Sequence, residues 1–177
     1  EMNIKVDENH PAFFYIPCGV GGSPGGVSFG LKKLFGDNAH IFFVEPTHSP
    51  SMLIGMATGL HEKVSVKDFG IDGKTKADGL AVGTPSRFVG TVMDTLLSGI
   101  FTIEDKKLFD YMRALDKSEG IRIEPSACST FEGPIKLFQY DDTRKYLEEN
   151  NLIDKLTNIS HITWATGGNL VPDEIME

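Results

Sequence analysis

Ten residues, Pro17-Cys18-Gly19-Val20-Gly21-Gly22-Ser23-Pro24-Gly25-Gly26, separate the apolar run Phe13-Phe14-Tyr15-Ile16 from a helical pattern. A continuous apolar run of this length reads as a strand buried on both faces. After the loop, Val27, Leu31, Leu34 and Phe35 recur at helical spacing and Gly36 is placed to end the helix. Ser23-Pro24 offers an N-cap followed by a proline at the first helical position. Glycines at a strand-to-helix turn let several amide N–H groups converge on one point, and the helix directs the positive end of its dipole there. Such a loop suits an anion, above all a phosphate; read alone, it is also compatible with a tight turn that holds no ligand. Pro24 stands where a GxGxxG pattern needs its third glycine, and no acidic residue closes a second strand about 20 residues on unless Glu45 serves. No Gly-Lys-Ser/Thr occurs, which excludes a Walker-type nucleotide loop.

The rest of the chain repeats the alternation of short apolar strand, small-residue turn and helix. Ile41-Phe42-Phe43-Val44 is predicted as a strand, and Ser49-Pro50 as the start of a helix with Met52, Leu53, Met56 and Leu60 on its apolar side. Val64-Ser65-Val66 reads as a short strand before a turn-rich stretch from Gly70 to Gly83. Ser86 is expected to cap a helix through Leu97, and Thr102 to begin another that stops at Gly120. Ile121-Arg122-Ile123 reads as a further strand leading into Glu124-Pro125, Asp142 or Thr143 as the start of a helix reaching Leu156, and His161-Ile162-Thr163-Trp164-Ala165 as the last strand. This order predicts an α/β fold, a mostly parallel sheet flanked by helices. Ligands of such sheets sit at the carboxyl ends of the strands, which selects Gly19–Ser23, Glu45–Ser49, Glu124–Ser126 and Thr166–Asn169.

Composition narrows the function classes. The net charge of −8 argues against a nucleic-acid backbone as main partner. No apolar run approaches the roughly 20 residues needed to span a bilayer, and no signal-peptide pattern is visible, so no membrane role is expected. Cys18 and Cys128 form no CxxC pair, so neither a zinc site nor a disulfide framework is supported, and a cytoplasmic location is expected. The start on Glu1 and the ending Pro172–Glu177 suggest a chain cut at both ends.

Trp164-Ala165-Thr166-Gly167-Gly168-Asn169 is a second glycine-rich strand end, with a hydroxyl at Thr166. Paired with the first loop, it suggests a ligand with a phosphate at one end and a hydrogen-bonding ring atom at the other. Pro17–Gly22, Phe43-Val44-Glu45-Pro46-Thr47-His48-Ser49-Pro50, Ala77-Asp78-Gly79-Leu80-Ala81-Val82-Gly83 and Trp164–Gly168 together resemble the bacterial D-serine dehydratase (D-serine ammonia-lyase) family. That family belongs to the tryptophan-synthase-β-like, fold type II group of pyridoxal-phosphate enzymes. The resemblance runs from about Val6 to the C-terminus.

The resemblance implies a lyase of D-amino acid metabolism that uses pyridoxal 5'-phosphate to convert D-serine to pyruvate and ammonia by β-elimination. The backbone of Gly19, Val20, Gly21, Gly22 and Ser23 would cradle the cofactor phosphate, and Thr166 would hydrogen-bond the pyridine nitrogen. Ser23 stands where the family has Gly, and its hydroxyl adds a possible phosphate contact. A hydroxyl partner, unlike a carboxylate, does not stabilise a protonated ring, which makes the ring a weaker electron sink. The family's Schiff-base lysine lies in an N-terminal Ser-x-Lys-x-Arg motif that is absent here, and none of the 13 lysines sits in such a context. Residues 1–177 are therefore expected to be the C-terminal part of the enzyme, most of its large, phosphate-binding domain, with no catalytic residue and no metal ligand assigned. Its expected partners are D-serine and the missing N-terminal part of the same polypeptide, and alone it should be inactive.

Three other readings stay open: an L-serine or L-threonine dehydratase of the same group, a non-catalytic phosphate-binding α/β domain, and a dinucleotide-binding module. Glu45 resembles the position that ligates a cation in relatives of this group, against a plain structural role. His48 reads as a catalytic base or, more simply, a hydrogen-bonded loop residue. Ser126 reads as a cap and Cys18 as a packing residue. Lys32, Lys33, Lys106, Lys107, Asp141 and Asp142 are expected on the surface.

Overall fold

The computed structural model describes residues 4–168, and Asn169 and the expected terminal helix turn at 172–177 lie outside them. Four strands, β1 (Ala12–Pro17), β2 (Ala39–Pro46), β3 (Gly99–Ile103) and β4 (Ser160–Thr163), form one sheet in the order β3-β2-β1-β4. Every neighbouring pair is parallel. Among the described residues no helix is long and apolar enough to cross a membrane.

The continuous apolar runs are explained by burial on both sheet faces. All residues of β1 and β2 are buried. Because successive side chains alternate across a strand, Phe13, Tyr15, Phe42 and Val44 enter one core while Phe14, Ile16, Ile41 and Phe43 enter the other. Helices α1 (Gly22–Phe35), α2 (Ser51–Thr58) and α3 (Arg87–Met93) supply the second core through Val27, Met52, Val89 and Met93. The first core is closed by Leu108 of α4 (Asp105–Glu119), by Leu137 and by Leu147. Two short helices, α5 (Pro125–Cys128) and α6 (Glu132–Lys136), precede Leu137, and Leu147 lies on α7 (Asp141–Glu149).

Several local expectations change. Helix α1 begins at Gly22, and its N-cap is Gly21 rather than Ser23. Gly21 has φ of 103°, a backbone conformation that favours glycine and turns the strand exit abruptly into the helix. Residues Val64–Val66 are not a strand: 3₁₀ turns occupy His61–Lys63 and Val66–Phe69, the second closed by a Ser65/Asp68 capping box. Ser86 caps α3 as expected, accepting from the Val89 N–H, but α3 ends at Met93. Thr102 belongs to β3, because Gly99–Ile103 pairs along β2 and sends Phe101 and Ile103 into the core. Residues 121–123 form no strand, residues 125–136 hold two unforeseen helices, and the helix from Asp141 ends at Glu149 before Asn151, whose φ is 55°. Lys32 is half-buried rather than on the open surface, while Lys33, Lys106, Lys107, Asp141 and Asp142 are exposed as expected.

Gly133 of α6 packs on the ring of Tyr15, where an added Cβ would collide with the ring and meet its Cε1 at 2.7 Å. Gly133→Ala is expected to destabilise the chain by about 1–3 kcal/mol through overpacking. Gly30, in the body of α1 with nothing within 4 Å of such a Cβ, is expected to gain about 0.5–1 kcal/mol on change to Ala. Urea denaturation midpoints of the two variants should move in opposite directions.

Candidate functional site

The strand order places the site. From β1 the chain winds outward to β2 and β3, then returns so that β4 pairs with the other edge of β1. The exits of β1 and β4 therefore lie side by side at the carboxyl ends of adjacent parallel strands, the edge at which ligands of such sheets sit. Backbone bonds hold this edge: the Trp164 N–H donates to the Tyr15 carbonyl at 2.9 Å and the Cys18 N–H to the Val44 carbonyl at 2.9 Å.

A cleft of about 360 Å³ lies there. It is lined by the strand exit and helix start, Pro17 and Gly19 to Pro24, and by Thr166, Glu124 and Ser126. The 78–83 loop adds Gly79, Leu80 and Val82. It is held in place by Ser49, whose hydroxyl donates to the Val82 carbonyl at 2.9 Å, and by the close approach of Gly19, whose Cβ would lie 3.1 Å from the Gly79 carbonyl oxygen. All six residues selected from the sequence, Gly19, Val20, Gly21, Gly22, Ser23 and Thr166, thus line one cleft.

At the glycine end the donors are backbone groups. The first bond of α1 runs from the Gly25 N–H to the Gly21 carbonyl at 2.8 Å. The N–H groups of Gly22 and Ser23, in the first turn, precede that bond and have no acceptor inside the helix, and Pro24 has no N–H. Val20, Gly22 and Ser23 are exposed, and a Cβ on Gly22 would meet nothing within 4 Å. Open N–H groups, a helix dipole and the absence of an anionic side chain at this end fit a phosphate. Thr166, exposed in the same cleft, supplies a hydroxyl. The residues present therefore fit pyridoxal phosphate at both ends. No lysine is among the residues that line the cleft.

Residues 2–145 match the protein family described as pyridoxal-phosphate dependent enzyme. The chain belongs to that family. Pyridoxal 5'-phosphate is the family's cofactor. The chain is 54% identical over 177 residues to the "Probable D-serine dehydratase" of Geobacillus stearothermophilus, covering all of this chain and 39% of the relative. It is 57% identical over 176 residues to that of Halalkalibacterium halodurans, covering 99% of this chain and 39% of the relative. The chain thus spans about 40% of the length of these relatives. The crystal structure of a fungal L-serine ammonia-lyase from Rhizomucor miehei shares the fold with a TM-score of 0.66 at 18% identity, over 96% of this chain and 49% of that one.

The other sequence candidates take structural places. Glu45 is fully buried, and its two carboxyl oxygens accept from the Met52 and Leu53 N–H groups at 2.8 Å each, so they cap α2 rather than face the cleft. Burial pushes its pKa up to about 8, against the lowering effect of those two bonds. His48 is exposed and pairs through Nδ1 with Asp72 at 2.8 Å, a bond that holds its pKa above the ordinary value. Cys18 is buried, its Sγ 3.5 Å from the Gly19 carbonyl oxygen, and burial foremost, then Glu45, pushes the thiol pKa well up. That environment makes it a packing residue rather than a nucleophile. Among the described residues no cluster of three His, Cys, Asp or Glu side chains could hold a metal ion. The wall formed by Gly79, Leu80 and Val82 had a signal in the Ala77–Gly83 motif, but nothing local tells which way that loop folds.

Glu45 generates a pH prediction. In the unfolded chain its carboxyl ionises near 4.5, whereas in the folded chain it holds its proton to about 8. Between those values the folded state binds more protons, so this group makes stability fall as pH rises, with no further change above about 8. His40 and His161, pushed down by burial, act in the opposite sense. Glu45→Gln cannot titrate and is expected to remove the Glu45 contribution. Melting temperatures measured from pH 5 to pH 8 should therefore decline less, or rise more, in the variant than in the parent, and parallel curves would contradict this assignment.

Proposed function

We propose that the full-length protein carrying this chain is a pyridoxal-phosphate-dependent D-serine ammonia-lyase, which releases pyruvate and ammonia. The observation that carries this reading is the single cleft that joins the Gly19–Ser23 loop to Thr166 at the carboxyl ends of two adjacent strands. The naming of relatives at 54% and 57% identity supports the substrate. In this reading residues 1–177 are the C-terminal part of the enzyme and most of its large domain.

When bound, the cofactor supplies an electron sink for loss of the substrate's α-proton and β-hydroxyl. The chain's own contribution is to hold and orient it. The Gly22 and Ser23 N–H groups would donate to the phosphate, with Gly19, Val20 and Gly21 shaping the backbone around it. The α1 dipole favours the phosphate's charge without a cationic side chain. Thr166 would hydrogen-bond the ring nitrogen through its hydroxyl. Leu80 and Val82 give part of the lining an apolar surface. The lysine that anchors the cofactor belongs to the remaining part of the polypeptide, so the chain alone binds cofactor without turnover. That remaining part is the proposed macromolecular partner. The apolar groove between α1 and α3, which shares Gly22 with the cleft and exposes Phe29 and Phe88, supports a covering element on that side.

Two outcomes are expected. The full-length protein with added pyridoxal phosphate should release pyruvate from D-serine faster than from L-serine. A preference for L-serine would move the assignment to the L-serine dehydratases, and no pyruvate from either would remove the lyase reading. Gly22→Asp should weaken pyridoxal phosphate binding at least about tenfold with an unchanged melting temperature, since a carboxylate in the first helical turn suits the dipole but repels a phosphate. The same change at Gly21 is a poorer probe, because a Cβ there collides with Met52 Cε on a backbone with φ of 103°. Unaltered binding in the Gly22 variant, followed by titration of cofactor absorbance, would take the phosphate away from this loop.

A further inference from the structure

The 78–83 loop that lines the cleft is gripped from outside it by Asp105. This residue opens α4, two residues beyond β3, and is half-buried. Its carboxyl oxygens take separate partners on the approach to the loop. Oδ1 accepts from the Thr75 hydroxyl at 2.5 Å, and Oδ2 accepts from the Lys76 N–H at 2.7 Å. The Thr75 oxygen accepts in turn from the Ala77 N–H at 3.1 Å. Ala77 is fully buried, and its carbonyl accepts from the Leu80 N–H at 2.8 Å, which closes the 3₁₀ turn Asp78–Leu80. The α4 dipole asks only for negative charge at this position, whereas both oxygens here are engaged with residues 75 and 76. Neither Thr75 nor Asp105 is among the residues that line the cleft.

From this grip the segment runs onto the glycine loop. A Cβ on Gly19 would stand 3.1 Å from the Gly79 carbonyl oxygen, 3.2 Å from Val82 Cγ2 and 3.4 Å from Leu80 Cα, so the two backbones are in contact. Past the 78–83 loop, the Ser86 N–H donates to the Val20 carbonyl at 3.1 Å. One segment, residues 75–86, thus joins Asp105 to Gly19 and Val20. A glycine-rich loop has the most conformational freedom to lose on ordering, and a ligand binds it more tightly where the backbone is already held. We propose that Asp105 is a positioning residue of the cleft, acting through Thr75 and Lys76 to hold the 78–83 loop against Gly19 and so to keep the glycine loop ready for a phosphorylated ligand. The inference rests on the proposed cofactor site. It assigns to a carboxylate outside the cleft a share in the affinity of the loop's own N–H groups.

The test measures dissociation constants for pyridoxamine 5'-phosphate, which carries the phosphate but forms no imine with a lysine, on the full-length protein and its variants. Thr75→Val and Asp105→Ala should each weaken binding about fivefold to tenfold, the scale of a lost hydrogen bond to a charged group. Because both break one link, the double variant should match Asp105→Ala within about twofold. Thr75→Ser keeps the hydroxyl and should bind as the unmodified protein does. Asp110→Ala, exposed on the same helix beside Arg113, is the control and should also leave binding unchanged. A merely structural role would lower the melting temperatures of ligand-free Thr75→Val and Asp105→Ala while leaving their dissociation constants at the unmodified value. That result overturns the inference while the cofactor site stands, and so do losses that add in the double variant. Should Asp105→Ala fail to fold, Thr75→Val against Thr75→Ser decides by the same constants. No binding to the unmodified protein overturns the cofactor reading and this inference with it.

Discussion

Parallel pairing of β1 on both of its edges is the constraint on which the rest of the molecule depends. Ala12 to Pro17 bonds to β2 on one side and, through Tyr15, to β4 on the other. A strand in that position is buried on both faces, so it must be apolar throughout, and its exit must leave through the carboxyl edge. The exit loop then has β4's exit beside it and nothing paired across the gap between them. The cleft is the consequence of a strand order that reverses at β1. Burial around this strand also stacks Tyr15 on Phe42 and His161, and the Tyr15 hydroxyl is 2.9 Å from His161 Nδ1, which ties β4 to the centre of the sheet by a polar contact.

The site follows from backbone more than from side chains. Glycines at 19, 21 and 22 let the chain pass from strand to helix in a few residues while leaving N–H groups turned outward. Supporting interactions are remote from the cleft but hold its walls. Glu45 caps α2, which carries Met52 against Gly21, and Ser49 holds the 78–83 loop. A buried carboxyl used as a helix cap explains why a residue at a strand's carboxyl end, where ligand groups collect, faces away from the cleft.

What could be read along the chain was whatever is encoded locally. The apolar runs at 13–16 and 41–44, the glycine loop, the Ser86 cap and the helix-ending glycines at 36 and 120 depend on neighbours a few residues away. Thr102 carries a helix-start signal because Thr102 and Asp105 mimic a capping box, whereas the pairing of Gly99–Ile103 with β2 keeps Thr102 in the sheet and starts the helix at Asp105. The helices at 125–136 lack a clear apolar period, since Ala127, Cys128 and Gly133 are small buried residues, and Gly133 fits against the ring of Tyr15 rather than joining a stripe. Ser23 resembled a cap, but the αL backbone at Gly21 starts the helix earlier.

By itself the sequence determined the α/β class, the six residues of the two glycine-rich strand ends, and the family to which the chain belongs. Those features rest on residue type and spacing, which survive without three-dimensional context. Only the tertiary structure decided that the two strand ends share one cleft, that Glu45 turns inward while Glu124 borders that cleft, and that the 78–83 loop forms a wall. These are matters of which strands lie side by side and which backbone segments can approach closely. They are settled by long-range pairing and packing, to which residues far apart in the chain contribute jointly and for which no local pattern in the sequence exists.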